Sequence, residues 1–237
     1  MIQNNTINPK DSIIFHIPHS GTIIPDYTGF NLDLIDDQMK ALTDHNTQDI
    51  FNVNGIDSII FPYSRLFCDV ERFPDEQEPM FLSGHGFYYT KTNDGKELRT
   101  LENKDNVLKY YNTHHNILTN KVKEKLDING ACTIIDCHSF NNDFFPFKTP
   151  DICIGTDDFH TPKFLIDKVI HTCKKFGFSY DTNTPYEGTI IPASYYKTNN
   201  MVNGIMIEIN KKLYMDNNSP NYFLIHKMNQ FINQIFI

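Results

Sequence analysis

Asn129-Gly130-Ala131-Cys132-Thr133-Ile134-Ile135-Asp136-Cys137-His138-Ser139 is a helix stop, then a short apolar run, then a cluster of polar side chains. Asn and Gly tolerate the left-handed backbone that ends a helix, so Asn129-Gly130 predicts the close of the segment before it. Cys132–Asp136 is rich in β-branched residues and does not alternate cleanly, the pattern of a strand covered on both faces. The polar residues that follow are then expected at the carboxyl end of that strand.

The same grammar recurs on either side. Ser12–Ile17, Ser58–Phe61, Asp151–Gly155 and Gly204–Ile209 read as further buried strands. Helical stretches lie between and around them: Leu32–Val53, Leu101–Ile128, Thr161–Phe176 and Tyr222–Phe236. Leu101–Ile128 carries Val107, Tyr111, Ile117, Leu118, Val122 and Leu126 on or near one stripe. Thr161 is placed as the N-cap of the third helix, with Pro162 in its first turn and Gly177 closing it. Alternating strands and helices predict one α/β domain over residues 1–237, with a mostly parallel mixed sheet and helices on both faces.

Ligands of such sheets sit beyond the carboxyl ends of the strands. Ser12–Ile17 leads to Pro18-His19-Ser20-Gly21, Ser58–Phe61 and Leu66-Phe67-Cys68 lead to Asp69-Val70-Glu71-Arg72, and Gly204–Ile207 leads to Glu208. Two histidines, several carboxylates and an arginine therefore gather at strand ends. Two imidazoles and a carboxylate suit zinc with a position left for water. A zinc site lowers the pKa of that water, and a second carboxylate then serves as general base for amide hydrolysis. Each residue also has a plainer role: His19 and His138 as hydrogen-bonded core histidines, and Glu208 as the partner of Lys211 or Lys212. His16 is expected to be structural, and at most one of His114 and His115 can face the core.

Composition narrows the function further. With 237 residues, 40% hydrophobic and 21% charged, the chain is ordinary globular material. Its formal net charge is −8, and it has no basic run, which disfavours nucleic acid as a partner. Met1-Ile2-Gln3-Asn4-Asn5 lacks the pattern of a secretory leader, and no stretch has the length of a membrane span. The five cysteines include no CxxC pair and read as free thiols in a reducing cytoplasm. Among 21 Lys and Arg, the arginines are Arg65, Arg72 and Arg99, all in one short stretch. A guanidinium grips a carboxylate with a planar fork, so at least one of them is expected to bind a carboxylate; a chance grouping is the alternative.

Taken in order, these stretches resemble the N-formylglutamate amidohydrolase family. The matching pieces are Pro18–Pro25, Leu42-Thr43-Asp44-His45, Tyr63-Ser64-Arg65-Leu66, Asp69–Asp75, Gly86–Thr90, Leu98-Arg99, His114-His115, Asp136–Phe140, Pro185–Pro192 and Met206–Met215. More distantly the family is similar to carboxypeptidase A-like zinc hydrolases and aspartoacylases, which implies the phosphorylase/hydrolase-like α/β fold. The resemblance implies one zinc per chain, with His19 as first and His138 as last ligand. It makes Glu208 the general base and Arg72 the substrate-carboxylate arginine, with Arg65, Arg99 and His115 assisting. It also implies release of formate and glutamate from N-formyl-L-glutamate, the last step of one histidine-degradation route.

Two departures stand out. The related Asp-x-Asn-Arg motif reads Asp69-Val70-Glu71-Arg72 here. Carboxypeptidase-like enzymes take a glutamate ligand three residues after the first histidine, where this chain has Thr22. The third ligand is then sought in Asp44 first, Glu71 second and Asp69 third. Other N-acyl amino acids or small peptide-like amides, a non-catalytic module for an acidic ligand, and an iron or manganese site for another chemistry are the competing readings.

Overall fold

The computed structural model describes residues 9–216 and 219–236. The leading stretch Met1 to Asn5 lies outside them. Among the described residues, six strands form one sheet: β1 (Ile13–Ile17), β2 (Asp57–Ile60), β3 (Cys132–Phe140), β4 (Ile152–Gly155), β5 (Tyr180–Thr182) and β6 (Val202–Asn210), in the order β2-β1-β3-β6-β4-β5. β1 runs parallel to β3, β3 to β6 and β4 to β5, while β4 is antiparallel to β6. The sheet is thus mixed and mostly parallel, as its uninterrupted apolar runs predict. All nine residues of β3 are buried. Successive side chains point to opposite faces, so both faces of the central strand are covered.

The helices are α1 (Ile35–Leu42), α2 (Thr47–Ile50), α3 (Lys104–Asn129), α4 (Lys163–Phe176) and α5 (Tyr222–Phe236). In α4 the buried residues Leu165, Val169, Thr172 and Cys173 form one stripe. Gly177 ends the helix at φ +73°, and its N–H returns to the last carbonyls of the turn. α5 buries Ile225, Met228, Phe231, Ile232, Ile235 and Phe236 by the same spacing.

Four expectations are corrected. Leu32–Val53 is not one helix: Thr43 is extended, Asn46 is left-handed, and the N–H of Asp44 binds the carbonyl of His19 at 3.0 Å instead of continuing the helix. β3 does not stop at Asp136 but carries Cys137, His138, Ser139 and Phe140 within it. Thr161 is not the N-cap of α4, since its hydroxyl donates to the Gly204 carbonyl at 2.6 Å and Pro162 takes the cap position. Ile117 is 51% exposed rather than part of the α3 stripe. The short strand β5 has no apolar run to announce it.

The described residues divide into two compact units. The first comprises those up to His16, Asn46–Ile59 and those from Thr119 onward; the second comprises Ile17–His45 and Ile60–Leu118. The core of the second is an aromatic cluster that includes Phe30, Phe61, Phe67, Phe87, Tyr88 and Tyr89.

Candidate active site

In the second unit, chemistry gathers around His19, two residues beyond the end of β1. Its Nε2 meets Asp69 Oδ1 at 2.9 Å. An ionised carboxylate only accepts, so Nε2 donates, and in the neutral ring Nδ1 carries the lone pair. Asp44 Oδ2 lies 3.8 Å and Glu71 Oε2 3.7 Å from that Nδ1. Atoms bound to one tetrahedral ion at about 2.1 Å lie about 3.4 Å apart, so this spacing suits ligands of a shared cation. A histidine oriented by a carboxylate on its other nitrogen is the usual second layer of a metal site. Imidazole nitrogen and carboxylate oxygen at this spacing are donor types that a divalent metal takes.

Asp69 organises this cluster and is fully buried. Its Oδ2 accepts Arg65 Nε at 3.2 Å, Arg65 Nη2 at 2.7 Å and the Tyr89 hydroxyl at 2.9 Å. Its Oδ1 accepts the Glu71 N–H at 3.1 Å as well as His19. Burial alone would raise the Asp69 carboxyl, but Arg65, His19 and Arg72 outweigh it and hold the group well below the usual carboxylate range. Burial lifts the Tyr89 hydroxyl to about 12, so it stays a donor. The loop that carries Glu71 is braced by His115, whose Nε2 donates to the Val70 carbonyl at 2.7 Å.

In the first unit, Asp136 plays the corresponding part. Its Oδ1 meets His16 Nδ1 at 2.9 Å and His138 Nε2 at 3.1 Å, and its Oδ2 accepts the Ile190 N–H at 3.0 Å. Asp136 and His138 are two apart in β3 and so share a face. His138 and Glu208 are register partners across β3 and β6, which sets them side by side on one rung of the sheet. Glu208 is buried. Lys212 pairs with Asp151 at 3.0 Å, not with Glu208. Tyr214 donates its hydroxyl to Ser139 Oγ at 2.8 Å and fixes the strand just past His138.

The sequence pattern of N-formylglutamate amidohydrolases matches residues 11–215. The chain belongs to the N-formylglutamate amidohydrolase family. An N-formylglutamate amidohydrolase of Ralstonia eutropha JMP134 has a similar structure, with a TM-score of 0.79 over 95% of this chain and 92% of that one, at 18% identity. A gene product of Agrobacterium tumefaciens follows with a TM-score of 0.63, 15% identity, and coverage of 94% and 90%. No curated protein matches the sequence. At these identities the structural likeness speaks for the fold, and the sequence pattern speaks for the family.

Each unit brings some of the expected residues together. His19, Asp44 and Glu71 lie together, and Asp69 bonds the His19 Nε2, the ring nitrogen other than the one Asp44 and Glu71 approach. His138 and Glu208 lie together in the sheet. Arg72 reaches Asp69 and Glu78 only at 3.8 and 3.6 Å, and its buried Nε has no hydrogen-bond partner among the described residues. The other two expected substrate arginines have partners within the fold. Arg65 spends its fork on Asp69. Arg99 donates to the carbonyls of Phe67 and Tyr89 and lies 3.3 Å from the Tyr88 ring centroid and 4.4 Å from that of Phe30. His115 is half-buried against Tyr111 and braces the backbone. Sequence reading missed Asp136 as the anchor of His138; the signal was present in the spacing Asp136-x-His138, which puts both side chains on one face of a strand.

Proposed function

We propose that the chain is a zinc-dependent hydrolase of the amide bond of N-formyl-L-glutamate, or of a closely related N-acyl amino acid, working as one catalytic domain over the whole chain. The observation that carries the reading is the setting of His19. One ring nitrogen is fixed by Asp69, while the other faces Asp44 and Glu71 at metal-ligand spacing.

In this reading His19 and His138 are the imidazole ligands, with Glu71 and Asp44 as the carboxylates at His19. Bound zinc supplies Lewis acidity toward the amide carbonyl and toward a water molecule. Asp69 and Asp136 hold the two imidazoles in the tautomer that ligates through Nδ1. Arg72 holds the substrate carboxylate and so fixes the amide relative to the reacting groups. Glu208 takes the proton from the attacking water and returns it to the departing nitrogen, so that water and amide become formate and the free amine. Five buried free thiols suit a reducing compartment and support a cytoplasmic location. No helix among the described residues is long and apolar enough to cross a membrane.

The test is to purify the protein without chelator, measure bound metal, and follow formate release from N-formyl-L-glutamate for wild type and Glu208→Gln. The expected result is one zinc per chain and a fall in turnover of about a hundredfold or more in the variant. Metal-free protein, or a Glu208→Gln variant as active as wild type, refutes the reading.

A further inference from the structure

The arginine supply of this chain limits what the substrate can be. All three arginines lie in the second unit. Arg65 has two donors on Asp69. Arg99 is 4% exposed, with its donors on two main-chain carbonyls. Arg72 alone keeps a fork that is not spent: its side chain is one-third exposed and its contacts are two ion pairs beyond hydrogen-bond length. One fork takes one carboxylate in bidentate fashion.

The charge around that fork points the same way. Arg65 and Arg72 are balanced by Asp69 and Glu78. Burial first, and then the Arg72 guanidinium, hold His85 below the ordinary imidazole value, so it adds no positive charge at neutral pH. A first substrate carboxylate adds one negative charge to a balanced group, and a second would add another with no guanidinium to meet it. Desolvating an unpaired carboxylate is costly. The α-carboxylate is the one whose distance from the scissile bond is fixed, because both hang from the same carbon. A side-chain carboxylate moves with the length of the side chain.

Resting on the amidohydrolase reading above, we propose that Arg72 binds the substrate through its α-carboxylate alone, and that the side chain need not be acidic. The substrate class is N-formyl or short N-acyl L-amino acids at large, with N-formyl-L-glutamate one member.

Three formamides separate the two carboxylates: N-formyl-L-glutamate carries both, N-formyl-L-glutamine keeps only the α-carboxylate in nearly the same shape, and N-formyl-4-aminobutyrate keeps only the distal one. Formate release by the metal-loaded wild-type protein gives kcat/KM for each. The expected result is that the glutamate and glutamine derivatives agree within about fivefold, while the aminobutyrate derivative falls about a hundredfold or more. In Arg72→Lys the KM of the first two rises by a common factor of about ten, with kcat changed less. A preference of more than about tenfold for the glutamate over the glutamine derivative overturns the proposal and leaves the amidohydrolase reading standing. Formate from none of the three overturns both.

Discussion

Replacing Asp69 by Asn tests whether one buried carboxylate organises the cluster at His19. The substitution keeps the shape and removes the charge. Asp69 accepts from His19 and the Glu71 N–H on one oxygen, and from Arg65 and Tyr89 on the other. An amide has one oxygen, so its NH2 must face either Arg65 and Tyr89 or His19 and Glu71, donor against donor. Arg65, only 16% exposed at its side chain, loses its counter-charge in both orientations. Removing one partner of a buried ion pair costs about 3–5 kcal/mol. For a chain of this size each kcal/mol moves Tm by about 2–4 °C, so Asp69→Asn is expected to lower Tm by about 6–20 °C. Zinc affinity, measured well below that Tm by competition with a chromophoric chelator, is expected to fall about 10–100-fold, because in either orientation His19 loses the charged carboxylate behind its ring. Asp127→Asn serves as control. Asp127 pairs with Lys123 on the surface, both side chains more than 60% exposed, and such a pair is worth about 0–1 kcal/mol. If Asp69→Asn melts within about 1 °C of wild type and binds zinc equally well, Asp69 does not organise the site.

Two further outcomes follow from packing. A Cβ on Gly21 would lie 2.5 Å from the Pro62 carbonyl carbon and 2.6 Å from its oxygen, both main-chain atoms. Gly21→Ala is therefore expected to cost about 1–3 kcal/mol in urea unfolding, whereas Gly86→Ala, whose Cβ would only touch the Phe81 ring at 3.7 Å, should cost less than about 1 kcal/mol. Burial raises the thiols of Cys132, Cys153 and Cys173 to about 12, 11 and 12, and all five cysteines are buried. The folded state holds those protons more tightly than the unfolded chain, whose thiols titrate near about 8.5. Their stabilisation is then complete below that pH and is lost as pH rises toward 11 to 12. The native protein should resist a disulfide-exchange reagent at pH 8, react at all five thiols in urea, and show a falling Tm above about pH 9; rapid reaction in the native state would refute the burial.

How much of this could be read from residues alone depended on whether a polar side chain found its partner locally. α5 and the closing glycine of α4 were legible because apolar spacing and a left-handed glycine are local signals. β3 was cut short because Asp136, His138 and Ser139 look like loop residues. They stay in a fully buried strand because His16, the Ile190 N–H and Tyr214, all distant in sequence, satisfy them. Leu66-Phe67-Cys68 fails in the opposite sense. It is as apolar as a strand and wholly buried, yet the N–H groups of Phe67 and Cys68 both return to the Ser64 carbonyl in a turn. The arginines were legible as a group and not one by one, since only the neighbours decide whether a guanidinium holds a carboxylate of the fold or keeps its fork for a ligand.

Under the proposed zinc reading, the carboxylates near His19 come from other segments than the one three residues after it. Thr22 is exposed. Asp44 and Glu71 come from different segments, yet each is tied by its own main-chain N–H to the pair at the centre: Asp44 to the His19 carbonyl and Glu71 to the Asp69 carboxylate. The backbone bonds place the two side-chain carboxylates at 3.8 and 3.7 Å from His19 Nδ1. The break after α1 is needed for the first bond, because an N–H inside a helix would be committed to the carbonyl four residues earlier. The turn at Asp69 is needed for the second, because an aspartate that accepts from the N–H two residues ahead closes a local loop. A carboxylate supplied from within the first-histidine segment would need neither. The helix break and the turn, which look like interruptions in the sequence, are therefore the features that bring two carboxylates to His19.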